Sequence, residues 1–247
     1  MMKSRIVFCA MCGLLVFALA AGGVWAVEGY KIESYSETYS PGENADGVLK
    51  VLLKAAPADD GYVYLFKSFA KMTPRGNLEA SQNTEGGLEA YKTGDIEFFR
   101  VKAADPGSPV SLTASFDCPG FYGAKAKVNG ETGSPAIPVN TKFANPFSSA
   151  IGAYNVKVIL PAGQEIVNVT APKAYADYTL GREADNARSV SVSKKKLAPM
   201  AALNLTCAYG KTAANSAAGT FCIWAICLAV GIAVLIARLP KKKTQSA

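Results

Sequence analysis

The chain has 247 residues, half of them hydrophobic, and a formal net charge of +7 with no histidine. Without an imidazole it cannot form a Ser-His-Asp or Cys-His nucleophile, a histidine general base or a histidine zinc site. Six of the 26 basic residues and none of the 19 acidic residues lie in the two ends of the chain, so residues 27–217 are nearly neutral. The basic balance is typical of membrane targeting, and we expect no nucleic-acid partner.

The N-terminal residues have the three parts of a secretory signal. Two basic residues precede an apolar stretch over residues 6–24, and residues of small or modest size follow at Val24 and Ala26. This order predicts a signal peptide over residues 1–26, with the mature chain beginning at Val27. The alternative is an uncleaved N-terminal anchor. In either case we expect the next part of the chain to be exported.

Roughly 190 residues follow, rich in Gly, Pro, Ser, Thr, Val and Tyr, with short apolar runs separated by turn signals. This pattern is typical of an all-β ectodomain, a mostly antiparallel sandwich. A Gly-, Pro- and Ser-rich gap over residues 129–138 divides it into β-sandwich region 1, residues 27–130, and region 2, residues 138–212. The two regions form either one domain or two domains in tandem.

Three patterns stand out in region 1. Residues 62–69 have apolar side chains on both faces, which predicts a strand in the centre of a sheet. Residues 88–91 and 96–101 predict a hairpin around a turn over residues 92–95. Residues 110–116 alternate apolar and polar side chains, which predicts a half-buried strand.

Region 2 contains a second hairpin pattern and two glycosylation patterns. Residues 154–160 and 165–170 flank the turn-forming run 161–163, and we expect them to pair with each other. Asn168 and Asn204 fit the Asn-x-Thr pattern of glycosylation, which matters only in a eukaryotic source.

The cysteines predict a disulfide. Of the six, two lie in the predicted signal and two in the last apolar run, which leaves Cys118 and Cys207 in the exported part. Both continue the apolar face of a predicted strand, and disulfides persist in an exported compartment. Such a bond would stabilise the fold by roughly 4–5 kcal/mol in the chain-entropy model. The alternative is two free, buried thiols.

Two further features of the exported part are candidates for binding. Phe121 and Tyr122 follow Pro119-Gly120 on a predicted loop tip, where they either contact a ligand or pack over the core. Residues 194–196 are three consecutive lysines. They either touch anionic headgroups or protect the edge of a strand from unwanted pairing.

The last apolar run, Ala218–Ala237, is uncharged and is followed by Arg238 and by three lysines at 241–243. As a helix it would cover about 30 Å, the thickness of a bilayer core. We predict a short linker over 213–217, a transmembrane helix over 218–237 and a basic cytoplasmic tail over 238–247. The positive-inside rule then predicts a type I protein of the plasma membrane, with its N-terminal domain extracytoplasmic.

Alanines recur every four residues along this predicted helix and share one narrow face, which predicts self-association or contact with a partner helix. They are Ala225, Ala229, Ala233 and Ala237.

The sequence therefore predicts a single-pass, membrane-anchored β-sandwich protein that acts in binding or assembly and is not an enzyme. We identify no catalytic residue, cofactor site or metal ligand. One alternative is an accessory subunit of a membrane complex, for export or envelope assembly, that contacts its partners through the span. The other is a carbohydrate-active enzyme with a pair of carboxylates.

Overall fold

The computed structural model describes Val27, Tyr30 and residues 31–76, 78–128, 135–211 and 225–228. In these ranges the chain forms fifteen β-strands, a short 3₁₀ helix and, over 225–228, a turn of α-helix. The sheets are almost entirely antiparallel. The predicted all-β class is therefore confirmed.

The elements follow in chain order. They are β1 (Lys31–Pro41), β2 (Gly47–Ala56), β3 (Tyr62–Phe66), β4 (Thr73–Pro74), β5 (Ala80–Gln82), β6 (Thr84–Thr93), β7 (Ile96–Ala103), β8 (Val110–Cys118), β9 (Lys127–Val128), β10 (Pro135–Ala144), β11 (Ile151–Ile159), β12 (Glu165–Ala171), the 3₁₀ helix (Tyr175–Asp177), β13 (Thr179–Arg182), β14 (Arg188–Leu197) and β15 (Ala202–Gly210).

The main sheet has eight strands in the order β13-β14-β11-β1-β2-β8-β4, and β5 also pairs with β8. Strand β1 lies in its middle, antiparallel to β2 and parallel to β11. The parallel pair joins strands from the first half of the chain to strands from the second. The two predicted regions therefore contribute strands to the same sheet.

Two smaller sheets pack on this sheet, one with the order β12-β15-β10-β9 and one with the order β3-β7-β6. Phe143 of β10 packs against Tyr35 of β1, with 5.3 Å between the ring centroids. Phe99 of β7 packs against Phe116 of β8 at 5.1 Å. One continuous hydrophobic core lies between the layers. The burial of both smaller sheets against one face explains why the other face of the main sheet carries mostly Ser, Thr, Asn and Lys.

Two of the strand predictions for the first half are confirmed. Strands β6 and β7 form the expected hairpin, with Gly94 and Asp95 as the turn and Gly94 at a φ of 57°. Strand β8 buries Val110, Leu112 and the other residues of the same parity, as the alternation predicts. Both patterns are local, because a turn and a period of two need no knowledge of the partner strand.

Two other strand predictions are wrong. Strand β3 lies at the edge of the three-stranded sheet, not in a sheet centre. It is apolar on both faces because Val63 and Leu65 are buried on one side while the Tyr64 ring packs on Tyr30 on the other. Strands β11 and β12 do not pair: β11 belongs to the main sheet and β12 pairs with β15. The turn over residues 161–163 carries the chain from one sheet to the other.

The sandwich has two ends. At the lower end, the turn over 42–46 lies close to Gly210, the last residue of β15. Tyr122 connects them: its amide donates to the Ala45 carbonyl, and its carbonyl accepts from the Tyr209 hydroxyl at 3.3 Å. The upper end carries Val27 and the loops over 145–150 and 198–201, which hydrogen-bond to one another. The last described strand therefore leaves the sandwich at the end opposite to Val27.

The predicted signal peptide (1–26), the tail (238–247) and most of the predicted span (218–237) lie outside the described residues. Of the predicted span, only residues 225–228 are described, and they form a helical turn. No helix within the described ranges is both long and apolar enough to cross a bilayer.

Candidate functional site

A carboxyl group lies in the core of the sandwich. The inward-facing residues of β1 are Tyr35, Glu37 and Tyr39, and all three side chains are fully buried. Across the main sheet, the positions level with Glu37 are otherwise aliphatic: Val192, Val156, Val51 and Ala114. The period of two in β1 places the carboxyl there, because its two neighbours of the same parity are core aromatics.

Only one of the two oxygens of the Glu37 carboxyl has hydrogen-bond partners within the described ranges. Its Oε2 accepts hydrogen bonds from the hydroxyls of Tyr154 at 2.9 Å and Tyr39 at 3.3 Å, and the Tyr39 hydroxyl is also 3.0 Å from Ser68 Oγ. Its Oε1 and the Tyr35 hydroxyl have no hydrogen-bond partner among the described residues. We call Glu37, Tyr35, Tyr39, Tyr154 and Ser68 the core carboxyl cluster.

Burial controls the protonation of this cluster. Desolvation raises the pKa of Glu37 to about 7, against the hydrogen bonds from the Tyr154 and Tyr39 hydroxyls, which lower it. Desolvation, and the nearby Glu37 carboxylate, raise the pKa of Tyr154 and Tyr39 well above the usual value, so both remain donors. Because the carboxyl is buried away from solvent, it is placed to respond to pH and not to act on a substrate.

A cleft of about 520 Å³ opens at the upper end between β14 and the strand β15 of the four-stranded sheet. Its apolar part is formed by Val192, Leu197 and Leu203. Lys194 and Asp177 are the charged residues in its lining. We call this the upper cleft. Its lining presents apolar and polar groups in about equal measure, so it offers contacts to side chains of both kinds.

The edge of the main sheet is open beside this cleft. Strand β13 pairs with β14 only over Arg188–Ser191, because the 3₁₀ helix precedes β13 and leads the chain away at Thr179. In the part of the chain that the structure describes, residues 192–197 of β14 have no strand on one side, and on the other all of them except Lys196 pair with β11. We call residues 192–197 the upper edge of β14. The lysines at 194–196 lie on it, and all three are exposed.

The structure does not contain the predicted disulfide. Cys118 ends β8 in the main sheet and Cys207 lies in β15 of the four-stranded sheet, and both are free, buried thiols. Burial raises the pKa of each thiol to about 12. The alternation of each strand predicts correctly that both side chains point inward. It contains no information on the distance between two strands in different sheets.

We expect both thiols to be inert in the folded protein. At pH 8, iodoacetamide should label neither Cys118 nor Cys207 until the chain is unfolded, because burial disfavours the reactive thiolate. In urea without a reductant, peptide mapping should then find both labelled. A Leu52→Cys variant is the positive control, since that side chain on β2 is 45% exposed. Two unlabelled cysteines after unfolding would instead indicate a disulfide.

Phe121 and Tyr122 pack over the core, the second of the two alternatives. The Phe121 ring stacks on Tyr39 with 4.4 Å between centroids, and the Tyr122 hydroxyl donates to the Ile159 carbonyl at 2.6 Å. Both rings are buried, so they are not a ligand-contacting loop tip. The physical reason is that the turn at Gly120 folds the chain back over β1 and does not extend it into solvent.

The remaining predicted residues are placed as follows. Asn204 is exposed on the wall of the upper cleft, and Asn168 is half-buried in β12. Of the predicted helix-association face, Ala225 lies in the described turn of helix, whereas Ala229, Ala233 and Ala237 lie outside the described residues.

Two carboxylates at the lower end are engaged in structural contacts. A second cleft of about 530 Å³ at the lower end contains Glu183 and Asp185. Hydrogen bonds from Ser189 and Lys157 hold the pKa of Glu183 below its usual value, and Asp185 accepts the Ala187 amide at 3.1 Å. Neither is placed as a proton donor for glycoside cleavage. Within the described residues, no group of three or more Cys, Asp or Glu side chains is arranged to hold a metal ion.

Sequence reasoning missed both the core carboxyl and the open edge. A signal for the carboxyl was present, because Glu37 shares the parity of Tyr35 and Tyr39 in β1. The open edge had no such signal, since it depends on where β13 stops pairing with β14.

No protein-family model and no curated protein matches the chain. Among solved structures, it is similar to a candidate protease from Parabacteroides distasonis (TM-score 0.44, 12% identity, 74% of this chain and 41% of that one). It is also similar to an M1 zinc metallopeptidase from Deinococcus radiodurans (0.40, 14%, 75% and 43%) and to leukotriene A4 hydrolase from Saccharomyces cerevisiae (0.41, 10%, 72% and 29%). The chain thus spans less than half of each protein. At these scores the resemblances identify neither a family nor an activity.

Proposed function

We propose that the protein is an exported β-sandwich protein, anchored in the membrane by one span, that acts by binding or assembly and not by catalysis. The observation that carries the proposal is the uncharged run 218–237 followed by a basic tail. Behind a secretory signal, such a run stops transfer and leaves the preceding domain outside. A β-sandwich is an architecture on which many surface-binding proteins are built.

The path of the chain supports an orientation for this domain. Strand β15 ends at Gly210 at the lower end, and seven residues separate it from Ala218. Seven extended residues reach at most about 25 Å. The lower end would therefore face the membrane, while the upper cleft and the upper edge of β14 would face away from it. A binding surface directed away from the bilayer is accessible to other proteins.

A second candidate function is an accessory subunit whose span contacts a partner helix. The four alanines spaced by four residues in the predicted span favour this candidate, because small side chains allow two helices to approach closely. Crosslinking in gently solubilised membranes distinguishes the two candidates. A partner bound through the domain is retained when the alanines are replaced by leucine, and a partner bound through the span is lost.

Extraction from membranes tests the anchor directly. We expect the full chain to remain in the membrane pellet after washing at pH 11 and to be released by detergent, because about twenty buried apolar residues hold it in the bilayer. A chain ending at Lys211 should be recovered in the extracytoplasmic soluble fraction. Release of the full chain by the alkaline wash would contradict the proposal.

A further inference from the structure

We propose that the upper edge of β14 binds an extended, acidic peptide segment of a partner protein by strand addition, with alternate side chains of that segment entering the upper cleft. The inference rests on the proposed binding function and names the class of partner. The proposal rests on four features: the open edge, the adjoining cleft, an exposed aromatic side chain, and the local charge.

The edge provides the backbone contacts. A strand without a neighbour presents unpaired N–H and C=O groups, and an added strand can satisfy them. The extended free part of β14, residues 192–195, is about 13 Å long at the rise of a strand, and the left-handed Lys196 separates it from Leu197. On its other side β14 is paired with β11 from Ser189 to Lys195 and again at Leu197, while Lys196 between them has a left-handed φ of 52°. The template is thus already ordered, and binding requires the ordering of the peptide alone.

The cleft provides a place for side chains. An added strand directs every second side chain to the same face of the sheet. On the inner face of β14, Val192 and Lys194 line the upper cleft, and Leu203 lies on its opposite wall. Alternate apolar side chains of the peptide would therefore be buried in a cleft of about 520 Å³. The ring of Tyr175, 70% exposed, lies on the 3₁₀ helix that carries Asp177 of the cleft lining.

Charge selects the occupant. The lysines at 194–196 and Lys173, which follows the cleft residue Pro172, are exposed and form no ion pair with any described residue. Asp177 is the acidic residue in the cleft lining. If two copies paired through this edge in antiparallel fashion, their lysine runs would lie opposite each other, and like charges directly opposite are destabilising. The carboxylates of an acidic peptide would instead be attracted to these lysines.

The test uses the full chain in zwitterionic nanodiscs and a fluorescent eight-residue peptide in which valine alternates with glutamate. We expect saturable binding of this peptide and none of a matched peptide with lysine in place of glutamate. A strand has two edges, and only one pairs with β14. Methylating the backbone nitrogens along one edge of the peptide should therefore abolish binding, while methylating those along the other edge should have little effect.

Charge reversal locates the site. The double variant Lys194→Glu, Lys196→Glu should weaken binding of the glutamate peptide about tenfold or more. The matched control, Lys125→Glu, Lys127→Glu, changes two other exposed lysines near the lower end and should leave the affinity unchanged. Both variants keep the fold, which circular dichroism verifies, since all four side chains are exposed.

Three outcomes would overturn the inference. An equal loss of affinity in the control would indicate non-specific attraction. Equal binding of the two methylated peptides would exclude strand addition. A dimer that is lost in the Lys194→Glu, Lys196→Glu variant would make a second copy the occupant. Alkaline extraction of the same membranes reports separately on the anchor, so failed peptide binding and a failed membrane anchor are distinguishable.

Discussion

Replacing Glu37 with glutamine is expected to raise the free energy of unfolding at pH 8 by about 1–2 kcal/mol. In the wild-type protein the buried carboxyl is mostly ionised at this pH, although desolvation disfavours its charge. Glutamine has nearly the same shape, can accept the hydrogen bond from Tyr154, and carries no charge. Part of the gain is offset because the new amide N–H groups are buried and must be satisfied inside the core.

The stabilising effect of the glutamine substitution should depend on pH, because the protonation of Glu37 does. The pKa of Glu37 is raised from 4.5 to about 7 on folding, so the folded state binds the proton more tightly than the unfolded state. The stability contributed by this group is fully present below about pH 4.5 and is lost as the pH rises through about 7. Above that pH the loss is roughly 3 kcal/mol. The advantage of the glutamine variant should therefore shrink toward zero, or reverse, near pH 5.

Urea unfolding of the full chain in detergent, followed by circular dichroism at pH 5 and pH 8, measures this difference. Glu33→Gln is the matched control, because Glu33 is exposed on the same strand and pairs with Lys54 at the surface. The Glu33→Gln substitution should change the free energy of unfolding by less than about 0.5 kcal/mol at both pH 5 and pH 8. If Glu37→Gln lowers stability equally at pH 5 and pH 8, the carboxyl does not titrate as proposed.

Gly152→Ala should lower the free energy of unfolding by about 2–3 kcal/mol. Gly152 lies in β11 where this strand runs parallel to β1, and an added Cβ would stand 2.6 Å from the Glu33 carbonyl oxygen. The Cβ is fixed by the backbone of residue 152 and the oxygen belongs to the backbone of Glu33, so no side chain can rotate to relieve the contact. The two strands would have to separate at the junction that joins the halves of the main sheet.

Gly87→Ala is the matched control for this substitution. Gly87 lies in β6, and an added Cβ there would meet no atom within 4 Å. Its stability should be unchanged or slightly increased, since alanine restricts the unfolded chain. Urea unfolding measures both variants under the same conditions. Equal stability of the two variants would contradict the prediction, because it would show that β1 and β11 can separate at this point at little cost in free energy.

Particular residues show which parts of the fold and the site were predictable. The period of two in β8 and the Gly94 turn of the β6–β7 hairpin were predictable, because each depends on residues close together in the chain. The partner of β11 was not predictable from the turn over residues 161–163. The same turn residues occur where a chain closes a hairpin and where it passes from one sheet to another. The inward direction of Cys118 and Cys207 followed from strand parity, whereas the separation of their sulfur atoms did not.

By itself, the sequence determined that the chain forms strands, where the β6–β7 hairpin turns, and which face of β8 is buried. These properties arise from side-chain alternation and turn chemistry within a few residues. Only the tertiary structure decided that β1 pairs with β11 across more than a hundred residues, that Glu37 lies at the centre of the buried face, and that β13 leaves the upper edge of β14 open. Such pairings depend on how whole sheets bury their apolar faces against one another, and no short stretch of sequence contains that information.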